Sequence, residues 1–144
     1  MSGQYVTRQE VIAEARTWIG TRWHHQGRMR GVGVDCAGLV IGVARSLGLS
    51  EFDVANYSRI PSGGLLRELC AANMRLIARE LAADGDVYLM RFEREPQHLA
   101  IRSTWQDMPS IIHAYADVRR VVEHVIDDEW LARIVGAFHI PGVE

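Results

Sequence analysis

Apolar residues recur at helical spacing in the first half of the chain and at strand spacing in the second. The first helical stretch opens on Thr7-Arg8-Gln9-Glu10, a capping box. It carries Val11, Ile12, Ala15, Trp18 and Ile19 on one face and stops at Gly20. The second starts at Cys36, with Asp35 as N-cap, and runs through Leu39, Val40, Val43, Ala44 and Leu47 to Gly48. These two helices are expected to pack together, with Trp18 in the core. A third runs from Gly64 to Ala71 or Ala72, with Ser62 as its expected cap. Residues 20–35 form a loop rich in Gly, Arg and His, and residues 50–64 a polar linker. Residues 74–79 fit helix or strand, and strand is preferred. The turn Asp84-Gly85-Asp86 then leads into a strand at Val87–Met90, after which Arg91 to Pro96 make a charged connection. Further strands are expected around His98–Arg102, Ile111–Tyr115, Arg119–Ile126 and Arg133–Ile140. A turn spans Thr104–Pro109, and Asp127–Leu131 make one helical turn. Helices followed by strands give the α+β class.

With 144 residues, one domain over 1–144 is expected, long enough to bury a core. A net charge of −2 gives no electrostatic case for nucleic acid or an anionic membrane. All sixteen basic residues are Arg, which fits a coding bias as well as a binding role. Cys36 and Cys70 make no disulfide framework, and both read as reduced thiols. No apolar run is long enough for a membrane span, and the first residues lack the apolar core of a signal peptide. Synthesis in the cytoplasm follows as an expectation, with delivery to any extracellular substrate left to another component.

Candidate chemistry centres on Val34-Asp35-Cys36-Ala37-Gly38-Leu39-Val40-Ile41. A cysteine on the first turn of a helix meets the partial positive charge of that helix end, which favours thiolate. The alternative is a small buried hydrophobe, as most free cysteines are. A nucleophilic cysteine needs a histidine partner. His98 and His113 are the candidates, each at the edge of an apolar run of strand character. Nucleophile, base and a third group that orients the base make the papain-like arrangement. His124 and His139 match nothing and read as exposed or structural. His24-His25 shows no metal-ligand spacing, so neither metal nor cofactor is expected.

Asp35-Cys36-Ala37-Gly38-Leu39-Val40 resembles the D-C-S-G-L/F-V signature of the NlpC-type bacterial cell-wall cysteine peptidases. His98-Leu99-Ala100-Ile101 looks like that family's H-V-G-I/A-I strand, Ile112-His113-Ala114 like its V/I-H-A motif, and Gly85-Asp86-Val87 like its G-D-L/V turn. The flanking residues Gly20–Arg28 and Gly31–Gly33 are similar to the branch carried by tailed phages and gene-transfer particles. The resemblance implies a papain-like cysteine peptidase fold, with N-terminal helices on a C-terminal antiparallel sheet. It makes Cys36 the nucleophile, His98 the general base and acid, and His113 the group that orients it. The family Tyr that helps build the oxyanion region is replaced by Trp23. His24 or His25 could supply the missing donor, Arg22 is a further candidate there, and Asp35 reads mainly as a cap.

By resemblance the substrate is the peptide stem of peptidoglycan, cut through an acyl-enzyme on Cys36. Arg22, Arg28 and Arg30 suit carboxylate recognition, or are solvated loop charge. Phage or gene-transfer-particle tail proteins are the implied partners. Two alternatives keep the fold: a structural or assembly component of a tail, and an amidase or transferase sharing the acyl-enzyme chemistry.

Overall fold

The computed structural model describes residues 5–59, 63–93 and 96–144. Helix α1 spans Arg8–Arg16, and its capping box is present: Thr7 Oγ1 accepts from the Glu10 N–H at 3.1 Å, and Glu10 Oε1 from the Thr7 N–H at 3.2 Å. The helix ends one turn before Gly20, where tighter bonds from Thr17, Trp18 and Ile19 to the third residue back take over. That turn swings Ile19 out to 46% exposure, against the expected buried face, while Trp18 stays in the core. Trp18 lies on α2, Cys36–Ser46, at Gly42; a Cβ there would fall 2.5 Å from the indole. Glycine at that position lets the two helices close on each other.

The loop before α2 contains a small hairpin, β1 at Arg28–Met29 and β2 at Gly33–Val34. Helix α3 spans Leu65–Asn73 with Gly64 at its N-cap. The expected cap Ser62 lies outside the described residues.

Six strands form one antiparallel sheet in the order β3-β8-β4-β5-β6-β7. They are β3 Arg75–Ile77, β4 Val87–Arg91, β5 Pro96–Trp105, β6 Met108–Tyr115, β7 Arg120–Val125 and β8 Ile134–His139. One helical turn, α4 Asp128–Leu131, separates β7 from β8, capped by Asp127. The expected turn over Thr104–Pro109 is shorter in the structure. Trp105 pairs with Met108, and only Gln106 and Asp107 remain in the loop, both at positive φ, the geometry of a type I′ hairpin.

Alternation along the strands divides the sheet into two buried faces. Leu89, Leu99, Ile101, Ile112 and Phe138 pack with Val11, Leu39, Val43 and Leu66 of the helices. Tyr88, Met90, Ala100, Ile111 and Ala137 fill the opposite face, with Trp130 against them. The α+β expectation, helices first and an antiparallel sheet after, describes this architecture. No helix among the described residues is long and apolar enough to cross a membrane.

Candidate active site

Asp35 builds the start of α2. Its carboxylate accepts from the backbone N–H of Gly38 and of Gln26, each at 2.8 Å, from Arg28 Nη1 at 3.2 Å and from the Tyr57 hydroxyl at 2.5 Å. Four donors occupy its oxygens, so Asp35 holds the loop, the helix and the linker together and has no capacity left for substrate. A Cβ on Gly38 would run into the carbonyl of Gly27, which explains the glycine two residues after the cysteine.

Cys36 is therefore held at a capped helix start, half-buried, with the backbone of Leu99 on β5 beside its sulfur. It shares a cleft of about 550 Å³ with His98, Trp23, Tyr57, Phe92 and Tyr115. Being antiparallel, β5 begins where β6 ends, so His98 and Tyr115 meet at the cleft end of the sheet.

The imidazoles form a chain across three neighbouring strands. His98 Nε2 lies 2.7 Å from His113 Nδ1, and His113 Nε2 lies 2.8 Å from His124 Nε2. His124 Nδ1 lies 3.0 Å from the carbonyl oxygen of Val125. With Nε2 of His98 engaged by His113, Nδ1 is the ring nitrogen left free for a partner in the cleft. An aromatic shell of Phe92, Tyr115 and Trp130 packs around these rings, at centroid distances of 5.1 Å from Phe92 to His98 and 5.1 Å from Trp130 to His113.

Burial sets the electrostatics. It pushes the Cys36 thiol up to about 12, with the Asp35 carboxylate adding to the effect, and outweighs the N–H groups of Leu99, Ala37 and Cys36 aimed at the sulfur. Burial likewise pulls His98 down to about 3, helped by the positive charge of Arg133, and holds His113 far below the ordinary histidine range. The resting pair is thus neutral thiol and neutral imidazole. This differs from the thiolate that the helix end alone favours, because desolvation is the larger effect here. Such a pair can still react if the thiol proton passes to His98 Nδ1 as the sulfur attacks.

The other candidate residues separate. Trp23 lines the cleft with the Arg59 guanidinium over its ring at 4.8 Å, but its backbone N–H is committed to Arg119 O. His24 does not line the cleft: it is exposed, with Nδ1 against His25 O. His25 does line it, edge-on to Tyr57. Arg22 is exposed and lies outside the cleft, bridged through its backbone to Arg120 on β7. Arg30 faces away too, bonded to Glu14 of α1 and to Thr17 at that helix's C-terminal cap. Arg28 spends all five N–H groups within the chain, on Asp53, Gly27, Asp35, Val54 and Tyr57. Among the described residues the guanidinium groups in the cleft are instead Arg59 and Arg133, the latter stacked on Phe92 and Trp130. Neither residue, nor Tyr57, carries a local sequence signal, since linker and loop placement brings them to Cys36. His124 had one: it lies in a strand-forming run, an even number of residues from Val122. Among the described residues no three His, Cys, Asp or Glu side chains are grouped to hold a metal ion.

No family model matches the sequence, and no curated protein matches it. Solved structures are similar. The NlpC/p60 domain of the peptidoglycan hydrolase SagA superposes with a TM-score of 0.65 at 22% identity, over 94% of this chain and 100% of that one. An NlpC/p60 family protein from Bacillus cereus gives 0.68 at 19% identity, over 93% of this chain and 40% of that one. The peptidoglycan hydrolase RipB from Mycobacterium tuberculosis gives 0.62 at 18%, over 92% of this chain and 64% of that one. The chain spans less than two thirds of the length of the last two. At these identities the likeness is one of fold, and it joins the observed helix-then-sheet order to a known architecture. The chain has the papain-like α+β fold of NlpC/p60 domains.

Proposed function

We propose that the chain is a cysteine peptidase that hydrolyses amide bonds in the stem peptides of peptidoglycan. The observation that carries this reading is Cys36 on a capped helix start in one cleft with His98, whose Nε2 is bonded to His113. In the reaction, the Cys36 proton moves to His98 Nδ1 while sulfur attacks the carbonyl carbon. N–H groups at the start of α2 are aimed to stabilise the oxyanion. Imidazolium His98 then returns the proton to the leaving amine, and water releases the acyl group by the same route. His113 accepts from His98 Nε2 throughout, so it positions the base. Arg59 and Arg133 line the cleft beside the carboxylates of Glu93 and Asp117, and are its groups suited to stem carboxylates. Support for the substrate is the fold shared with SagA and RipB, both named as peptidoglycan hydrolases. Delivery from the tail of a phage or gene-transfer particle is proposed on the resemblance of Gly20–Gly33; detection of the chain in purified particles tests it, and absence from them removes it.

The deciding experiment digests Gram-negative peptidoglycan with the wild type and Cys36→Ala and reads the products by mass spectrometry. Stem fragments from the wild type alone are expected. If neither protein yields products while both are folded, the second reading takes over: a structural or assembly component of a tail. Trp23 in place of the family Tyr, with its backbone N–H committed to Arg119, is the observation on its side.

A further inference from the structure

His124 has no part in the chemistry above, yet it ends a directed chain of hydrogen bonds. The carbonyl oxygen of Val125 has no proton to give, so the 3.0 Å contact requires His124 Nδ1 to carry the hydrogen. In the neutral ring, Nε2 then presents a lone pair. His113 Nε2 must donate to it at 2.8 Å, which leaves His113 Nδ1 as an acceptor. His98 Nε2 donates there at 2.7 Å, which leaves His98 Nδ1 bare. Reversing the chain would set a lone pair of His124 against the lone pairs of the carbonyl.

We infer that His124 is a positioning residue: anchored on the Val125 carbonyl, it holds His98, through His113, in the tautomer whose unprotonated Nδ1 can take the Cys36 proton. The sheet register supports this. His124 pairs with Ile111 and His113 with Val122, so the two histidines are diagonal neighbours on one face of β6 and β7. His113 is fully buried, and Trp130 lies 5.1 Å from its ring and 5.0 Å from that of His124. Without an acceptor at position 124, the buried Nε2–H of His113 loses its partner. Its alternative is the Nδ1–H form, which turns His98 Nε2 into an acceptor and places the hydrogen on the nitrogen that should face Cys36.

The consequence for turnover rests on the peptidase reading, whereas the tautomer does not. Long-range nitrogen–proton correlation on histidine-labelled full chain reads which ring nitrogen carries each hydrogen. The wild type should show Nε2–H for His98 and His113 and Nδ1–H for His124; Nδ1–H on His98 overturns the inference, whatever the variants do. His124→Phe should populate Nδ1–H on His98 and lower kcat on soluble stem peptides at least about tenfold, with KM within about twofold. His124→Gln, whose amide oxygen can accept from His113, should restore most of both. Wild-type tautomer and kcat in His124→Phe would sink the assignment. If the wild type cleaves no stem peptide but the tautomer shifts in His124→Phe, the peptidase reading fails and the positioning role stands.

Discussion

Cys36 sits where two effects oppose each other. The helix start and three N–H groups favour the thiolate, and burial beside the Asp35 carboxylate favours the thiol more strongly. His98 is displaced in the direction that keeps it neutral. The competent form of the pair, thiol with neutral imidazole, therefore exists above the His98 value of about 3 and below the Cys36 value of about 12. Because kcat/KM reports the free enzyme, its profile should be flat from about pH 5 to about pH 9, with no acid limb near the ordinary histidine value of about 6.5. Iodoacetamide, which needs the thiolate, should alkylate Cys36 slowly at neutral pH. A half-activity point near pH 6.5, or rapid alkylation at pH 7, would show an exposed ion pair in place of a desolvated neutral one.

At the scale of elements, the linker over residues 50–59 becomes a wall of the cleft because Arg28 ties it to the start of α2. Its guanidinium reaches Asp53, the Val54 carbonyl and Tyr57 on the linker, and Asp35 on the helix. Only a planar five-donor group satisfies that set, so Arg28→Lys should recover little of what Arg28→Ala loses. The Ala variant leaves a buried carboxylate short of its cation and should cost about 3 kcal/mol in urea unfolding, with peptidase activity falling as the wall loosens. Equal stability of the Lys variant and the wild type would refute the fork. The same contrast shows what the sequence could disclose. The capping box, the Asp35 cap and the alternating strands are local, so the helices, the sheet and the places of Cys36, His98 and His113 were readable from spacing and motif. Tyr57, Arg59 and Arg133 were not, because their approach to Cys36 is fixed by loops whose path no local pattern encodes. The reverse error has the same origin. Arg28 looked like a free cation in a basic loop because its acceptors at Asp53, Val54 and Tyr57 lie more than twenty residues away.

For the whole molecule, the sheet has buried faces on both sides, and the histidine chain is part of what that burial encloses. His98 and His113 are 5% and 0% exposed and take protons less readily in the folded chain than in the unfolded one. Below the unfolded value of about 6.5 the unfolded chain binds protons that the folded chain does not, so stability falls as pH falls. Above about 6.5 both states carry neutral rings, and the contribution is fully present. Each group should remove up to about 1.4 kcal/mol per pH unit on descending from about pH 6 toward the His98 value near 3. Urea midpoints at pH 7, 6, 5 and 4 measure this, and His113→Asn should make the slope shallower by close to one proton, since an amide does not titrate. A midpoint that stays constant from pH 7 to 4, or an unchanged slope in His113→Asn, would place the acid sensitivity elsewhere. The neutrality that readies His98 as a base would then owe nothing to burial in the sheet.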